Sequence, residues 1–245
     1  MDKIALVTGG ARGIGAAVSR QLAADGYFVV INYCHSQAEA ENLLRNIENA
    51  GGNACIFPCA VQNQEEVNRM FTEIKKQYGK ISCLVNNAGI SRDGYLMMQP
   101  VHEIEDVLSV NLKSMFYCCK AVLPHMIALK SGKIVNISSV AGIAGMAGQT
   151  AYSASKSGIL GLTRSLAVET ARFGIQVNAV SPGYVNTDMV NAVPENLKTE
   201  YLARIPVKRF AEAEEIARAV SWLCSEQCSY MTGQNLVLDG GLSIG

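Results

Sequence analysis

Short runs of apolar, often β-branched residues alternate along this 245-residue chain with longer stretches whose apolar positions recur every third or fourth residue. The short runs predict strands at Lys3–Thr8, Phe28–Tyr33, Ala54–Phe57, Cys83–Asn86, Lys133–Ser138, Gln176–Ser181 and Asn235–Leu238. The amphipathic stretches predict helices, among them Ala16–Ala24, Ala38–Ala50, Gln64–Tyr78, Glu103–Ala128, Ser153–Phe173 and Glu212–Ser225. Near-continuous apolar strands alternating with helices predict an α/β fold: a doubly wound, Rossmann-type parallel sheet of about seven strands covered by helices on both faces. No repeat, low-complexity segment or linker interrupts the alternation, so residues 1–245 are expected to form a single domain.

One stretch breaks the rhythm. Between Val185 and Phe210 lie a helix-like piece, Pro194, Pro206 and the basic pair Lys208-Arg209. It follows a strand end, where open α/β sheets bind ligands, and is read as a substrate lid over about 185–210. An ordinary surface excursion is the plainer alternative.

Charge adds exclusions. With 21 basic and 21 acidic residues there is no electrostatic case for nucleic acid or an anionic membrane. The chain enters a strand at once, so no signal peptide is expected, and no apolar run is long enough to cross a bilayer. None of the eight cysteines forms a C-x-x-C pair, and the three histidines are scattered. No metal site is expected, and the cysteines are read as buried, reduced thiols of a cytoplasmic protein.

Two segments carry chemistry. Gly9-Gly-Ala-Arg-Gly13-Ile-Gly15 lies between the first strand and the first helix. Glycines there permit a tight turn and close approach of a pyrophosphate, and the helix N-terminus offers free N–H groups and a positive dipole end. The spacing departs from G-x-G-x-x-G. Tyr152 and Lys156 stand four residues apart, on one face of a helix. An adjacent ammonium favours phenolate, which predicts a tyrosine pKa moved from about 10 toward neutrality and suited to proton exchange with a carbonyl or alcohol. Taken alone, the pair also fits a solvated helix face.

Thr8-Gly-x-x-x-Gly-Ile-Gly15, Asn86-Asn-Ala-Gly89, Ser139 and Tyr152-x-x-x-Lys156, in that order, resemble the short-chain dehydrogenase/reductase family, and the likeness runs from residue 3 to Leu238-Asp-Gly-Gly241. Within it the chain is most similar to the 3-oxoacyl-thioester reductases, through Asn87-Ala-Gly-Ile-Ser-Arg-Asp93, Gly148-Gln-Thr, Ser181-Pro-Gly-Tyr184 and Ile205-Pro-Val-Lys-Arg209. The resemblance implies four catalytic positions. Tyr152 is the general acid, Lys156 lowers its pKa and binds the nicotinamide ribose, Ser139 holds the substrate carbonyl, and Asn111 holds a relay water. It also implies a cofactor site. Gly9, Arg12, Gly13, Ile14 and Gly15 lie at the phosphates, and Asn32 and Val61 at the adenosine. Asn87, Ala88 and Gly89 form the fourth strand end, while Pro182, Gly183, Val185 and Thr187 flank the nicotinamide. Gln149 and Tyr184 border the acyl group; Tyr184 either narrows the pocket or packs under the lid.

The second strand ends in Asn32 rather than an acidic residue, and Arg12 can reach a ribose 2′-phosphate, with His35 and Ser36 as further donors. NADPH is therefore the expected cofactor. Ala60 stands where related reductases carry an adenine-binding aspartate, leaving that contact to the Val61 backbone or Gln62. Lys130, with Arg172 beside Phe173, is the candidate landing place for an acidic carrier protein. The expected activity is NADPH-dependent reduction of a 3-oxoacyl thioester delivered by acyl carrier protein, in fatty-acid or polyketide synthesis. Alternatives are acetoacetyl-CoA reduction, a sugar, polyol or steroid alcohol dehydrogenase, and a non-catalytic cofactor-binding protein. Apolar positions on the stretches holding Val107, Leu108, Met115, Phe116, Ile159, Leu160, Leu162 and Leu166, more than one sheet face needs, point with the resemblance to a homotetramer.

Overall fold

The structure, a computed structural model, describes residues 3–187, 190 and 195–244. Strands β1 (Ile4–Val7), β2 (Phe28–Tyr33), β3 (Asn53–Pro58), β4 (Cys83–Asn86), β5 (Gly132–Ile137) and β6 (Ile175–Pro182) fall within a residue or two of the predicted runs. Two short strands follow, β7 (Val185–Asn186) and β8 (Ala211–Glu212), and then β9 (Asn235–Leu238). The main sheet is parallel, in the order β3-β2-β1-β4-β5-β6-β9. The chain winds outward from β1 to β3, then returns to β4 on the other side of β1. The crevice at the carboxyl ends of β1 and β4 is therefore the switch point at which such sheets bind ligands.

The helices are α1 (Gly13–Ala24), α2 (Gln37–Asn49), α3 (Gln64–Gln77), α4 (Val101–Leu108), α5 (Ser114–Leu129), α6 (Thr150–Thr170), α7 (Glu195–Arg204) and α8 (Ala213–Cys224). One core cluster, with Val7, Leu22, Ile31, Leu43 and Val220, lies on the α1, α2 and α8 side. The other, with Leu6, Val30, Met70, Val122 and Ile159, lies on the α3, α5 and α6 side. Alternate residues of β1 to β6 feed opposite clusters, which is why these strands read as unbroken apolar runs. No helix among the described residues is long and apolar enough to cross a membrane.

Three features differ from the sequence reading. The predicted helix Glu103–Ala128 is interrupted by a π-helical turn at Ser109–Lys113, centred on the fully buried Asn111. Of the apolar residues taken as surplus, Met115, Ile159 and Leu162 are buried against the chain's own sheet, Val107 is buried as well, and Phe116 is the one left 54% exposed. The cysteines are not uniformly buried either: Cys34, just beyond the end of β2, is exposed.

Within the stretch read as a lid, β7 pairs in parallel with β8, and α7 lies between them in sequence. Residues 188–189 and 191–194, including Pro194, lie outside the described residues. Beyond α7, Ile205 packs with Val140 and Leu242. The bidentate pair from Arg209 to Glu215, at 2.6 and 2.8 Å, ties the segment to the capping box that starts α8.

Candidate active site

The glycine turn has the shape a bound pyrophosphate needs. Gly9 and Gly13 have φ of 60° and 51°, where a side chain would be strained. A Cβ on Gly9 would sit 3.0 Å from Ala88 Cα, and one on Gly15 would collide with the Gly9 carbonyl. No side chain caps α1, whose N-cap is the exposed Arg12, so its first-turn N–H groups stay open to an anion. The residues present fit a dinucleotide phosphate. Thr187 stands close by: its Cγ2 lies 3.3 Å from where a Gly13 Cβ would be.

Asn87 and Thr8 clamp the turn to β4. The Asn87 amide donates to the Thr8 and Gly9 carbonyls at 3.0 Å each, and Thr8 Oγ1 accepts from the Asn87 and Ala88 N–H groups at 3.0 and 3.1 Å. Asn87 thus has a structural task in addition to the cofactor-side position expected of it. Asn32 departs further from expectation. Its side chain turns inward, accepting from Gly9 N at 3.2 Å and donating to the carbonyls of Tyr33, Phe57 and Cys59. With 1% of its surface exposed, Asn32 supports the cofactor site from behind and presents no group to the ribose. The Val61 side chain is similarly buried in the core, which leaves the adenosine contact expected of it to its backbone. At Ala60 the backbone N–H donates to Glu66 Oε2 at 2.9 Å.

The four expected catalytic positions converge from separate elements at the carboxyl edge of β4 and β5. Ser139 follows the end of β5 by two residues and caps a short 3-10 turn, its Oγ accepting from Ala141 N at 3.1 Å. That turn is pressed onto α6: a Cβ on Gly142 would meet the Lys156 carbonyl carbon at 2.7 Å, and Ser138 Oγ donates to Lys156 O at 2.8 Å. Lys156 is 3% exposed, its Nζ 2.9 Å from Ile137 O and 5.5 Å from the centre of the Tyr152 ring. Asn111 accepts from Ile90 N at 2.8 Å and donates to Ile90 O and Ser155 Oγ at 2.9 and 3.2 Å. Its Oδ1 lies 3.3 Å, and Lys156 Nζ 3.6 Å, from one point beside Gly89 that a side chain would fill.

The electrostatics correct one expectation. Burial raises the Tyr152 pKa, hydrogen bonding with Ser139 pulls it back, and the Asp93 carboxylate raises it again. Lys156, desolvated in the core, is itself pulled down to about 8. Desolvation therefore dominates the Tyr–Lys pair, and Tyr152 is a phenol at neutral pH, ready to give a proton.

Around the mouth, Gln149 Nε2 donates to Asp93 Oδ2 at 3.0 Å, and Gly94 N donates to Gly148 O at 2.8 Å. Tyr184 stacks on Tyr201 of α7, with ring centres 4.4 Å apart and planes 9° apart, and its hydroxyl lies 4.0 Å from Met146 Sδ. Of its two readings, packing under the lid segment is the one the contacts display. Pro182 and Gly183 end β6, where Gly183 N bonds to Leu238 O at 2.9 Å and a Cβ would meet Asp239. Val185 is buried in β7 beside them, and Ile14 lies partly buried in the first turn of α1.

Two findings lay outside the sequence reading. A buried amide ladder runs from Asn86 to Asn136 (2.9 Å) and on to Thr163 (3.0 Å), tying β4, β5 and α6 together beneath the catalytic groups. Polar residues inside apolar strands are its sequence signal. The candidate carrier contacts, Lys130 and Arg172, gather at the amino edge of the sheet, before β5 and β6, with Arg172 over the Phe173 ring at 4.7 Å. Ser139 is at the opposite end of β5, about 20 Å away at strand rise.

Known proteins resemble this chain along nearly its whole length. A family described as enoyl-(acyl carrier protein) reductase matches residues 9–243. The 3-oxoacyl-(acyl-carrier-protein) reductase FabG of Staphylococcus epidermidis is 43% identical over 242 residues, covering 99% of this chain and 99% of that one. The enzyme of the same name from Thermotoga maritima is 39% identical, over 99% and 98% of the two chains. A 3-oxoacyl-(acyl-carrier-protein) reductase of Synechocystis is 41% identical, over 98% and 96%.

Proposed function

The chain belongs to the short-chain dehydrogenase/reductase family, and from that premise we propose that it is an NADPH-dependent ketoreductase, converting 3-oxoacyl thioesters to 3-hydroxyacyl thioesters. The observation that carries the reading is the meeting of Tyr152, Lys156, Ser139 and Asn111 at the sheet's carboxyl edge, in a chain matched end to end by 3-oxoacyl-(acyl-carrier-protein) reductases.

The nicotinamide cofactor, when bound, supplies the hydride. Ser139 Oγ and Tyr152 OH hold the ketone oxygen as paired O–H donors, and Tyr152 gives that oxygen its proton as charge develops. Lys156 in its ammonium form supports the phenolate left behind and hydrogen-bonds the cofactor ribose. A water held between Asn111 Oδ1 and Lys156, at the space Gly89 leaves open, returns the proton from solvent. The open first turn of α1 binds the pyrophosphate and Arg12 the 2′-phosphate, which favours NADPH. Pro182, Gly183 and Thr187 orient the carboxamide, and Gln149 borders the acyl group, with Tyr184 packed against Tyr201. Residues 185–210 serve as the lid of a single domain.

Acyl carrier protein is the proposed donor of the thioester, in fatty-acid synthesis and in the cytoplasm. Docking on Lys130 and Arg172 then needs a second copy of the chain to bring that edge to the site, in keeping with a homotetramer. Gln149 at the mouth, held by Asp93 at 3.0 Å, supports acetoacetyl-CoA reduction as the second reading. The test is NADPH oxidation with acetoacetyl groups offered on carrier protein and on CoA. Preference for the carrier supports the first reading and preference for CoA the second. Turnover of neither overturns both.

A further inference from the structure

Beyond the catalytic corner, the ends of β2 and β3 bring together two cysteines that the reaction does not use. The register pairs Asn32 with Phe57 and Tyr33 with Pro58, so Cys34 and Cys59 are the next pair along. The last ladder bond leads straight into that pair: Cys59 N donates to Tyr33 O at 2.9 Å, and the Asn32 amide bonds both the Tyr33 and Cys59 carbonyls, at 3.3 and 3.0 Å. Paired residues on neighbouring strands lie about 4.8 Å apart and point to the same face. A disulfide requires Cα atoms about 4.4–6.8 Å apart. The facing agrees independently, since Val30, four residues before Cys34, shares a core cluster with Cys59.

The two thiols differ in access. Cys34 is exposed, with His35 Nε2 3.4 Å from its sulfur to accept a proton. Cys59 is 3% exposed, directly behind it. That is the arrangement of a peroxidatic and a resolving thiol. Both face the Glu66 carboxylate, which together with burial raises their pKa values, Cys59 to about 12. The pair is therefore slow to oxidise and answers sustained oxidant.

We propose that Cys34 and Cys59 form a redox-responsive pair whose disulfide weakens the adenosine end of the cofactor site. A hydroperoxide oxidises Cys34 to the sulfenic acid, releasing water from hydrogen peroxide. The Cys59 sulfur then displaces the sulfenic oxygen as a second water, so two thiols lose two electrons and two protons and the S–S bond forms. The link draws Cys34-His35-Ser36 against Cys59-Ala60-Val61, the segments between which the adenosine is read. This functional half rests on the NADPH reading above.

The test treats the full-length reduced protein with hydrogen peroxide, maps disulfide peptides by mass spectrometry, and titrates NADPH by fluorescence before and after. Expected are a Cys34–Cys59 peptide, NADPH affinity weakened about tenfold and restored by dithiothreitol, and neither change in Cys34→Ser or Cys59→Ala. Mapping also separates this link from Cys83–Cys224, whose sulfurs lie 3.1 Å apart in the core. Peroxide-treated protein with no Cys34–Cys59 peptide overturns the proposal, as does a link that leaves NADPH affinity unchanged. Reduced protein that binds no NADPH overturns the cofactor reading instead, and with it the gating, while the mass map still decides whether the link forms.

Discussion

The catalytic corner and the adenosine corner share one edge of one sheet but are held in different ways. At the catalytic corner the groups around the reacting pair are anchored by several elements: Lys156 by β5 and α6, Asn111 by the Ile90 backbone and Ser155, and the whole by the Asn86–Asn136–Thr163 ladder. At the adenosine corner the fixed group, Asn32, points inward, and the side expected to meet the cofactor is left to exposed Arg12, with His35, Ser36 and the Val61 backbone. The chemistry is over-determined, whereas cofactor choice rests on a few exchangeable surface groups. Substitutions at the two corners should therefore fail differently.

The largest effect is expected from Tyr152→Phe, which removes the proton donor and keeps the ring. Turnover of an acetoacetyl thioester should fall roughly a thousandfold while NADPH binding, measured by fluorescence, persists. Loss of binding along with turnover would show that Tyr152 holds the corner together and is not its acid. Ser139→Ala should lower kcat roughly a hundredfold by removing one of the two donors to the ketone oxygen; an unchanged kcat in single-turnover assays removes Ser139 from the mechanism.

The pH profile sharpens the same corner. Burial lowers Lys156 to about 8, so its ammonium is present below that pH and lost above it. Tyr152, raised, remains protonated through the same range. Ketone reduction, followed as kcat/KM, should fall as pH rises through about 8. In Lys156→Arg, which stays charged, that limb should vanish even though activity is lower. A limb that survives in the arginine variant belongs to another group.

Effects at the adenosine corner should be smaller and confined to the cofactor. Arg12→Ala should reduce preference for NADPH over NADH about tenfold, the worth of one charge-assisted hydrogen bond, and leave kcat at saturating cofactor unchanged. An unaltered ratio of the two cofactors' kcat/KM values would remove Arg12 from 2′-phosphate recognition.

The same contrast explains what the sequence made legible. Strand positions were readable because β1, β2 and β4 are apolar on alternating faces that both meet helices, and the glycine turn because its φ values and close contacts admit no side chain. Asn111, Ser139, Tyr152 and Lys156 stood out through their order and spacing. What stayed hidden depended on side-chain direction. Asn32 reads as a ligand-facing strand end, yet four hydrogen bonds turn it inward. A helical spacing of four puts Tyr152 beside Lys156 without disclosing that desolvation outweighs their mutual attraction. Lys130 and Arg172 look like neighbours of the site, although β5 separates them from it by its full length.

Asn32 also provides the narrowest test of the comparison. Read as a strand-end residue, Asn32→Asp restores an acidic group where NAD-binding relatives of this architecture carry one, and should turn the preference toward NADH. The structure leads to the opposite expectation. The amide nitrogen donates to the carbonyls of Tyr33, Phe57 and Cys59, and a carboxylate oxygen in its place would face three acceptors with no proton to share. The buried group would lose its partners at a cost of about 1–3 kcal/mol, and the β2–β3 ends would loosen. Asn32→Asp should therefore lower the melting temperature and weaken both cofactors alike, leaving their ratio within about twofold of the parent, since no differential contact with the ribose is made. A clear swing toward NADH without loss of stability would mean that the side chain reaches the ribose after all. The adenosine corner would then be as directly built as the catalytic one.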